Sequence, residues 1–471
     1  MAENKKQEGA DLMDKITSLA KRRGFIFQGS EIYGGLTGTY AYGPLGSLLK
    51  NNIRDSWLKF FVSSRDNMYL LDAPILMHPR VWDASGHTTE FIDPLVDDLK
   101  TKKRYRADHL LEEVGVDAEQ MTVAEMDFKI KELGLKSPEG NPLSDVRKFN
   151  LMLETKMGAV EETAVTTYLR PEEAQSMFIH FKDVLDSLSP KIPFGIAQIG
   201  KAFRNEITPR DFIYRLREFE IVEFEYFIRP DENWEMLFDT FLEEQKTWLG
   251  MIGIPSEKLH TMEHPETARA HYSKKTVDWE FEYPFGIKEL SGLAHRGDYD
   301  LRKHQEFSGV SCEVFDQETG TKFIPHVLEP TISLDRAVLA VLCASYYEDE
   351  LGGETRSVLK LPTNIAPYKA CISPLLKNRP ELQTKAREVF AMLKQEFGNV
   401  MYDDNGNVGK RYRRQDEIGT PWCIVVDFDT IGMGDNINPD FKDMVTIRDR
   451  DTGEQSRVAI SDLVSYITSR I

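Results

Sequence analysis

Between Phe203 and Phe227 the chain reads FRNEITPRDFIYRLREFEIVEFEYF, and this stretch limits the possible folds more than any other. Arginines, carboxylates and aromatic rings are interleaved at strand spacing. The pattern predicts a strand over 203–207, a loop over 208–217 opened by Thr-Pro-Arg-Asp, and a second strand over 218–228 that returns antiparallel. Side chains alternate faces along a strand. Arg204 and Glu206 then share one face, and Phe219, Ile221, Glu223 and Glu225 share one face of the return strand. A solvated sheet face could carry these charges with no function. The functional alternative is a nucleotide site: arginine's planar fork suits phosphate, a carboxylate can accept from an exocyclic amine, and a ring can stack on a base. The phosphate loop G-x-x-x-x-G-K-[ST] is absent, and GNVGKRY at 406–412 has the wrong spacing for it. A nucleotide site here must be of another kind.

The rest of the chain gives the setting. Its 471 residues are too many for one simple core, so two or three domains are expected. No apolar run approaches the roughly 18 residues of a membrane span, and MAENKKQEGADLMDKI lacks a secretory apolar core, so we expect a cytoplasmic protein with no membrane contact. Cys312, Cys343, Cys371 and Cys423 form no C-x-x-C pair and are expected as free thiols. The net charge of −18 argues against a nucleic-acid coat but not against a local basic patch. Residues 10–22 read as a helix, and Leu48, Leu49, Ile53, Trp57 and Phe60 form an apolar helical face after a glycine-rich loop. Residues 110–165 read as a charged, mostly helical insertion, and strands dominate 166–345 up to the apolar helix DRAVLAVLCASYY. Residues 349–361 lose periodicity and carry a Gly-Gly, which reads as a linker. Beyond it, a strand near Lys369–Ile372, a helix over 380–397, a strand at 399–402, the strands WCIVVDF and MVTIRD, and a final helix SDLVSYITSRI predict a small α/β domain with a mixed sheet.

These segments carry a resemblance. FRNE, an arginine-rich loop and Arg217-Glu218-Phe219 look like motif 2 of the class II aminoacyl-tRNA synthetases. IPHVLEPTISLDRAVLAVL at 324–342 looks like motif 3, and YAYGPLGSLLKNNIRDSW at 40–57 looks like motif 1. EIYGGLTGTYAYGPLG, VWDASGHTTEFIDPLVD, RADHL, LRPEEAQ, FRNEITPR, HRGDYDL and PHVLEP narrow the match to the homodimeric-type glycyl-tRNA synthetases. KRYRRQDEIGTPWCIVVDFDT and MVTIRDRDTGEQSRV resemble that family's anticodon-binding domain. The resemblance implies an α+β class II core over 1–348, an antiparallel sheet flanked by helices, and an anticodon-binding domain over 362–471. It also implies a homodimer through motif 1 (residues 40–62). The implied reaction joins glycine and ATP, with Mg2+, into glycyl-adenylate and passes glycine to the 3′ end of tRNA(Gly).

It further implies roles. Arg204 would hold the α-phosphate and the substrate carboxylate, Glu206 would accept from the adenine amine, and Phe219 would stack on adenine. Arg217, with Arg215 or Arg210, would reach the β- and γ-phosphates. Arg336 would cover the other side of adenine, and Glu329 would help hold magnesium. Asn205, Tyr214, Leu216, Glu218, Lys288, Ser333, Leu334 and Asp335 fall in the implied ATP site. Glu172, Glu223 and Glu289 are the carboxylates for the glycine ammonium, which offers three donors. Arg106 and Arg296 would assist, with Glu220, Ile221, Val222 and Thr331 around the glycine. Lys410, Arg411, Arg413 and Arg414, with Tyr412 and Trp422, would meet tRNA phosphates and bases, Arg448, Asp449 and Arg450 adding base contacts. Histidines 87, 295 and 326 read as structural.

Departures from the family pattern are Thr331 for serine, Ser333 for glycine, Glu173 and Ser176 for threonine and glycine, and Asp98 for cysteine. The first four are expected to narrow the pocket against alanine. The rival reading is a catalytically silent synthetase-like accessory or sensor protein, which would have lost the phosphate-binding arginines kept here. A threonine enzyme would need a His/Cys zinc cluster, which the chain lacks.

Overall fold

The central sheet of this computed structural model has seven strands: β1 (Met68–Leu71), β2 (Phe194–Phe203), β3 (Glu218–Ile228), β4 (Leu259–Glu263), β5 (Lys275–Tyr283), β6 (Gly286–Gly297) and β7 (His326–Ser333). Described are residues 2–118, 121–160, 163–270, 272–317, 319–351, 353–434 and 437–471. The strand order is β4-β5-β6-β7-β3-β2-β1, antiparallel except between β1 and β2. Helices α1 (Ala2–Arg23), α2 (Pro44–Trp57), α3 (Ala174–Ile179), α4 (Trp234–Met251), α5 (Tyr299–Ser308) and α6 (Leu334–Ser345) surround it.

Strand alternation separates core from site. Val222 and Phe224 of β3, with Leu328 and Ile332 of β7, face the main core, where they meet Leu49, Ile53 and Trp57 of α2, Phe241 and Trp248 of α4 and most of α6. The odd-numbered residues of both strands are thereby turned to the opposite face. Beyond Arg336, helix α6 is buried all round from Ala337 to Ser345, as its apolar sequence requires.

The hairpin is present, but its first strand is displaced. β2 ends at Phe203, paired with Glu218, and 204–217 are loop. The Arg204 amide still reaches the Arg217 carbonyl at 3.0 Å, but Asn205 donates instead to Leu151 O at 2.8 Å, which pulls the chain off the ladder. Arg204 and Glu206 are therefore loop residues rather than strand neighbours.

Two further expectations change. Residues 349–361 are not a plain linker: β8 (Tyr346–Leu351) and β9 (Glu354–Leu359) form an antiparallel hairpin, with Gly353 at φ 79° and Gly352 outside the described residues. The insertion is not mostly helical either. Helices Ala107–Glu112 and Val123–Glu132 pack on a sheet of Ile92–Asp97, Arg104–Arg106 and Arg147–Asn150, and Leu153–Met157 pairs with Val165–Leu169. Asp98 is a buried polar anchor there, accepting from the amides of Lys100 and Thr101 and from Ser137 and Asn141.

The C-terminal sheet follows the predicted alternation. β10 (Ala370–Pro374), β11 (Met401–Tyr402), β12 (Trp422–Val426), β13 (Met444–Asp449) and β14 (Gln455–Ala459) stand in the order β11-β10-β12-β13-β14, parallel through the first three and antiparallel after. Helices α7 (Pro380–Phe397), α8 (Val408–Ile418) and α9 (Leu463–Thr468) complete it. The first helix of the chain bridges the two sheets' surroundings: Arg22 and Arg23 of α1 both pair with Glu417 of α8. All four cysteines are buried and free.

Candidate active site

The face of the central sheet opposite the main core carries one cleft with two lobes. A lobe of about 140 Å³ is lined by Arg204, Glu206, Tyr214, Arg215, Leu216, Phe219, Glu289, Ser333 and Arg336, among others. A second, of about 300 Å³, is lined by Glu172, Glu223, Glu329, His264, Arg269 and Tyr272. Arg204, Ile221, Gly292 and Thr331 border both lobes. Arg204 thus stands at the junction, its guanidinium 5.3 Å from the Phe219 ring and 5.3 Å from Phe91, with Nε donating to Pro171 O at 3.2 Å.

In the first lobe the Arg336 guanidinium lies 4.4 Å over the Tyr214 ring and pairs with Glu289 at 2.9 Å. Arg336 in turn holds the Glu289 carboxyl below the usual range. Ser333 accepts from the Arg336 amide at 3.4 Å, so the serine that replaces a glycine serves as the N-cap of α6. The loop beyond Arg204 is seated on the glycine-rich segment near residue 38. Arg217 donates its amide to Gly38 O and Nη1 to Thr37 O, each at 2.8 Å, and Nη2 to Glu206 O at 3.0 Å. Gly38 has φ +77°, and a Cβ there would lie 2.7 Å from Pro209, so both conformation and closeness require glycine.

The second lobe is acidic and buried. Thr331 Oγ1 donates to Glu223 at 3.2 Å. Arg296 is 1% exposed and holds Asp300 through two nitrogens, at 2.8 and 3.0 Å, and Glu329 at 2.6 Å. Burial, partly offset by Arg296, pushes the Glu329 carboxyl up to about 7, and burial beside Glu329 pushes Glu223 well above its ordinary value. Burial would raise Glu172 too, but His87, 3.2 Å away, and Arg296 outweigh it and leave Glu172 well below the ordinary range.

Several expected residues lie elsewhere. By strand alternation Glu218, Glu220 and Val222 face away from the cleft: Glu218 pairs with Lys201, Glu220 pairs with Lys50 at 2.6 Å, and Val222 is core. Asp335 accepts from Tyr42 and the Glu220 amide, and Leu334 is core. Asn205, Arg217, Lys288 and Arg296 line neither lobe. Arg106 is also outside both, committed to Asp93 and Asp108. Glu289 belongs to the first lobe rather than the acidic one. Glu329 is in the acidic lobe and bound to Arg296, so it does not fit the role of magnesium ligand beside a triphosphate. Glu173 and Ser176 do not narrow the cleft. They are buried behind it, Glu173 on Arg170 at 3.1 Å and Ser176 on Gln198 at 2.7 Å. His87, expected as structural, lies 3.2 Å from Glu172 and so belongs to the site's frame. His264, paired with Asp278 at 2.8 Å, and Arg269, on His264 O at 2.9 Å, were not foreseen, because their loop carries no periodic signal.

The C-terminal basic run is also largely internal. Trp422 is buried in the domain core, so it cannot stack on a base. Arg411 is 2% exposed and donates to the carbonyls of Pro374, Asp404 and Gly406. Arg414 grips Asp403, Arg413 reaches Leu351 O and Glu354, and Arg448 holds Asp416. Arg450 donates to the carbonyls of Leu361 and Gly419. A groove of about 670 Å³ is nonetheless lined by Arg23, Lys410, Tyr412, Arg413, Arg414 and Arg448, with Lys410 exposed.

An antiparallel sheet with a junction arginine on one hairpin and a second arginine on the helix after β7 defines a class II aminoacyl-tRNA synthetase core. Residues 159–346 match the tRNA synthetase class II core domain (G, H, P, S and T), and residues 369–470 match the anticodon binding domain. The chain is 45% identical to the glycine–tRNA ligase of Thermus thermophilus, 46% to that of Geobacillus kaustophilus and 44% to that of Deinococcus radiodurans, each over 98% of this chain and 99% of the relative. The chain belongs to the glycine–tRNA ligase family.

Proposed function

We propose that the cleft activates glycine with ATP and that the protein then charges tRNA(Gly). The observation that carries this reading is the cleft itself: a lobe of arginines and aromatics and a lobe of carboxylates meet at Arg204. ATP occupies the first lobe, with adenine between Phe219 and Arg336. Glycine occupies the second, its ammonium among Glu172, Glu223 and Glu329. A glycine carboxylate oxygen attacks the α-phosphorus and pyrophosphate leaves. Arg204 faces both reacting groups and neutralises charge as it develops. In the second step a hydroxyl of the terminal tRNA ribose attacks the glycyl carbonyl and AMP leaves. Mg2+ would accompany ATP as its counter-ion, and Glu206 is the carboxylate on that side that would be able to receive it, Glu289 being paired with Arg336.

Larger amino acids are excluded by Ile221 and Thr331, which border both lobes. Residues 1–348 perform activation, 349–361 connect, and 362–471 meet the anticodon arm, with Lys410 and the groove around it in contact with RNA. The protein acts as a homodimer through α2 and works in the cytoplasm, where its tRNA is charged. No helix among the described residues is long and apolar enough to cross a membrane. ATP–pyrophosphate exchange with each of the twenty amino acids tests the activation step. Exchange with glycine alone is expected. No exchange with any amino acid would favour a silent accessory protein instead.

A further inference from the structure

Glu225 stands two residues beyond Glu223 on β3 and shares its face. It is fully buried, and among the described residues neither of its carboxylate oxygens has a hydrogen-bond partner. The register that pairs Glu223 with Thr331 and Tyr226 with Leu328 sets Glu225 opposite Glu329 on β7. One oxygen from each of Glu223, Glu225 and Glu329 lies within 4.8 Å of the other two. Glu223 also keeps one oxygen without a partner.

Among the described residues, the charged groups that act most strongly on Glu225 are Glu329 on β7, Arg296 on β6, Glu223 on its own strand and Asp300 on α5. Arg296 is the one cation among them, and its bonds go to Asp300 and Glu329. A third ionised carboxylate here would be dehydrated, without a donor, and directly opposite a like charge. A carboxylic acid removes that charge and supplies a donor. Burial and the neighbouring Glu329 both act in this direction, raising the Glu225 carboxyl well above its ordinary value.

We propose that Glu225 is a positioning residue held as a neutral carboxylic acid, whose hydroxyl donates to the unpartnered oxygen of Glu223 and so fixes that carboxylate for the substrate ammonium. Glu225 lines neither lobe and touches no substrate. It sets the charge of the layer beneath the ammonium, leaving room for one incoming cation. The inference rests on the glycine reading of the acidic lobe.

The test is an infrared comparison of the wild-type protein and Glu225→Gln at neutral pH, paired with glycine KM in pyrophosphate exchange for Glu225→Gln and Glu225→Leu. The wild type should show a protonated-carboxyl carbonyl band that Glu225→Gln lacks. Glu225→Gln keeps a neutral donor and should raise glycine KM by less than about threefold, whereas Glu225→Leu should raise it about tenfold or more with ATP KM unchanged. Loss of only ionised-carboxylate bands in Glu225→Gln would overturn the proposal. So would a rise in KM as large as that of Glu225→Leu, or one Mn2+ bound per wild-type chain and lost in Glu225→Gln, which would mean a buried cation instead. If Glu225→Leu does not fold, the infrared band and Glu225→Gln still decide. Absence of glycine-dependent exchange in the wild type would overturn the reading of the lobe, while the infrared result would stand by itself.

Discussion

Replacing Gly200 by alanine puts one methyl group into the frame behind the cleft. Gly200 lies on β2, and a Cβ there would fall 2.1 Å from Arg170 Nη2 and 2.4 Å from Glu173 Oε1. The end of a long side chain normally swings aside. This one is pinned: Arg170 donates Nε to Lys201 O at 2.8 Å, Nη1 to Ala73 O at 3.1 Å and Nη2 to Glu173 at 3.1 Å, and it is 3% exposed. Displacing the Nη2 arm forfeits the bond to Glu173 and distorts the two to carbonyls. At roughly 1.5–3 kcal/mol per charge-assisted bond, the expected destabilisation is about 3–5 kcal/mol. With ~2.1 cal/mol/K of unfolding entropy per residue and a cooperative unit of about 350 residues, that lowers the first thermal transition by about 4–7 °C. Function should suffer at permissive temperature too. The Arg170 carbonyl accepts from Phe203 N at 2.8 Å and the Pro171 carbonyl from Arg204, so this segment sets the distance between Glu172 and Arg204. Scanning calorimetry and pyrophosphate exchange measure both effects. A Gly200→Ala protein with wild-type melting and wild-type glycine KM would refute the reasoning, because it would mean the guanidinium can move at no cost.

Three other expectations follow from the site. Arg336→Lys loses the fork that spans Tyr214 and Glu289 and should raise ATP KM about tenfold with little change in glycine KM, read by exchange kinetics. Glycine's ammonium needs ionised carboxylates, and Glu329 is raised to about 7 with Glu223 raised as well. Glycine binding should therefore release protons near neutrality and tighten as pH rises from about 6 to 8, which titration calorimetry in buffers of different ionisation enthalpy will show. Arg411→Ala should lower the stability of the C-terminal unit by about 2–4 kcal/mol, because it orphans the three carbonyls it holds, while glycine-dependent exchange persists; unchanged melting with impaired tRNA charging would restore Arg411 as a phosphate contact.

The sequence made the cleft legible where function depends on short-range spacing. Phe219, Ile221, Glu223 and Glu225 alternate, and the structure keeps all four on one face. The same alternation exposes which transferred residues fail: Glu218, Glu220 and Val222 had to point the other way once β3 was a strand. The basic run at 410–414 could not be read this way. Its acids, Asp403 and Glu354, lie on other elements, so the run looked unpaired. Trp422 opens a strand buried on both faces, whose continuous apolar pattern does not tell core from a stacking platform. The hairpin at 346–359 is not legible in the sequence, because its first strand carries acids at three consecutive positions, Glu348, Asp349 and Glu350, two of them answered by Lys15 and Arg356.

The clasp between α1 and α8 has a consequence for how the chain is made. Arg22 and Glu417 are 395 residues apart, so α1 is made well before its partner α8 and waits for it. Until then its apolar residues Ile16, Leu19 and Ala20 have only part of their final surroundings, since Ile418 belongs to the same cluster. A chain cut short before α8 would keep its catalytic sheet but leave this helix half-docked and open to proteases. The docking of α1 thereby reports whether α8 has been made.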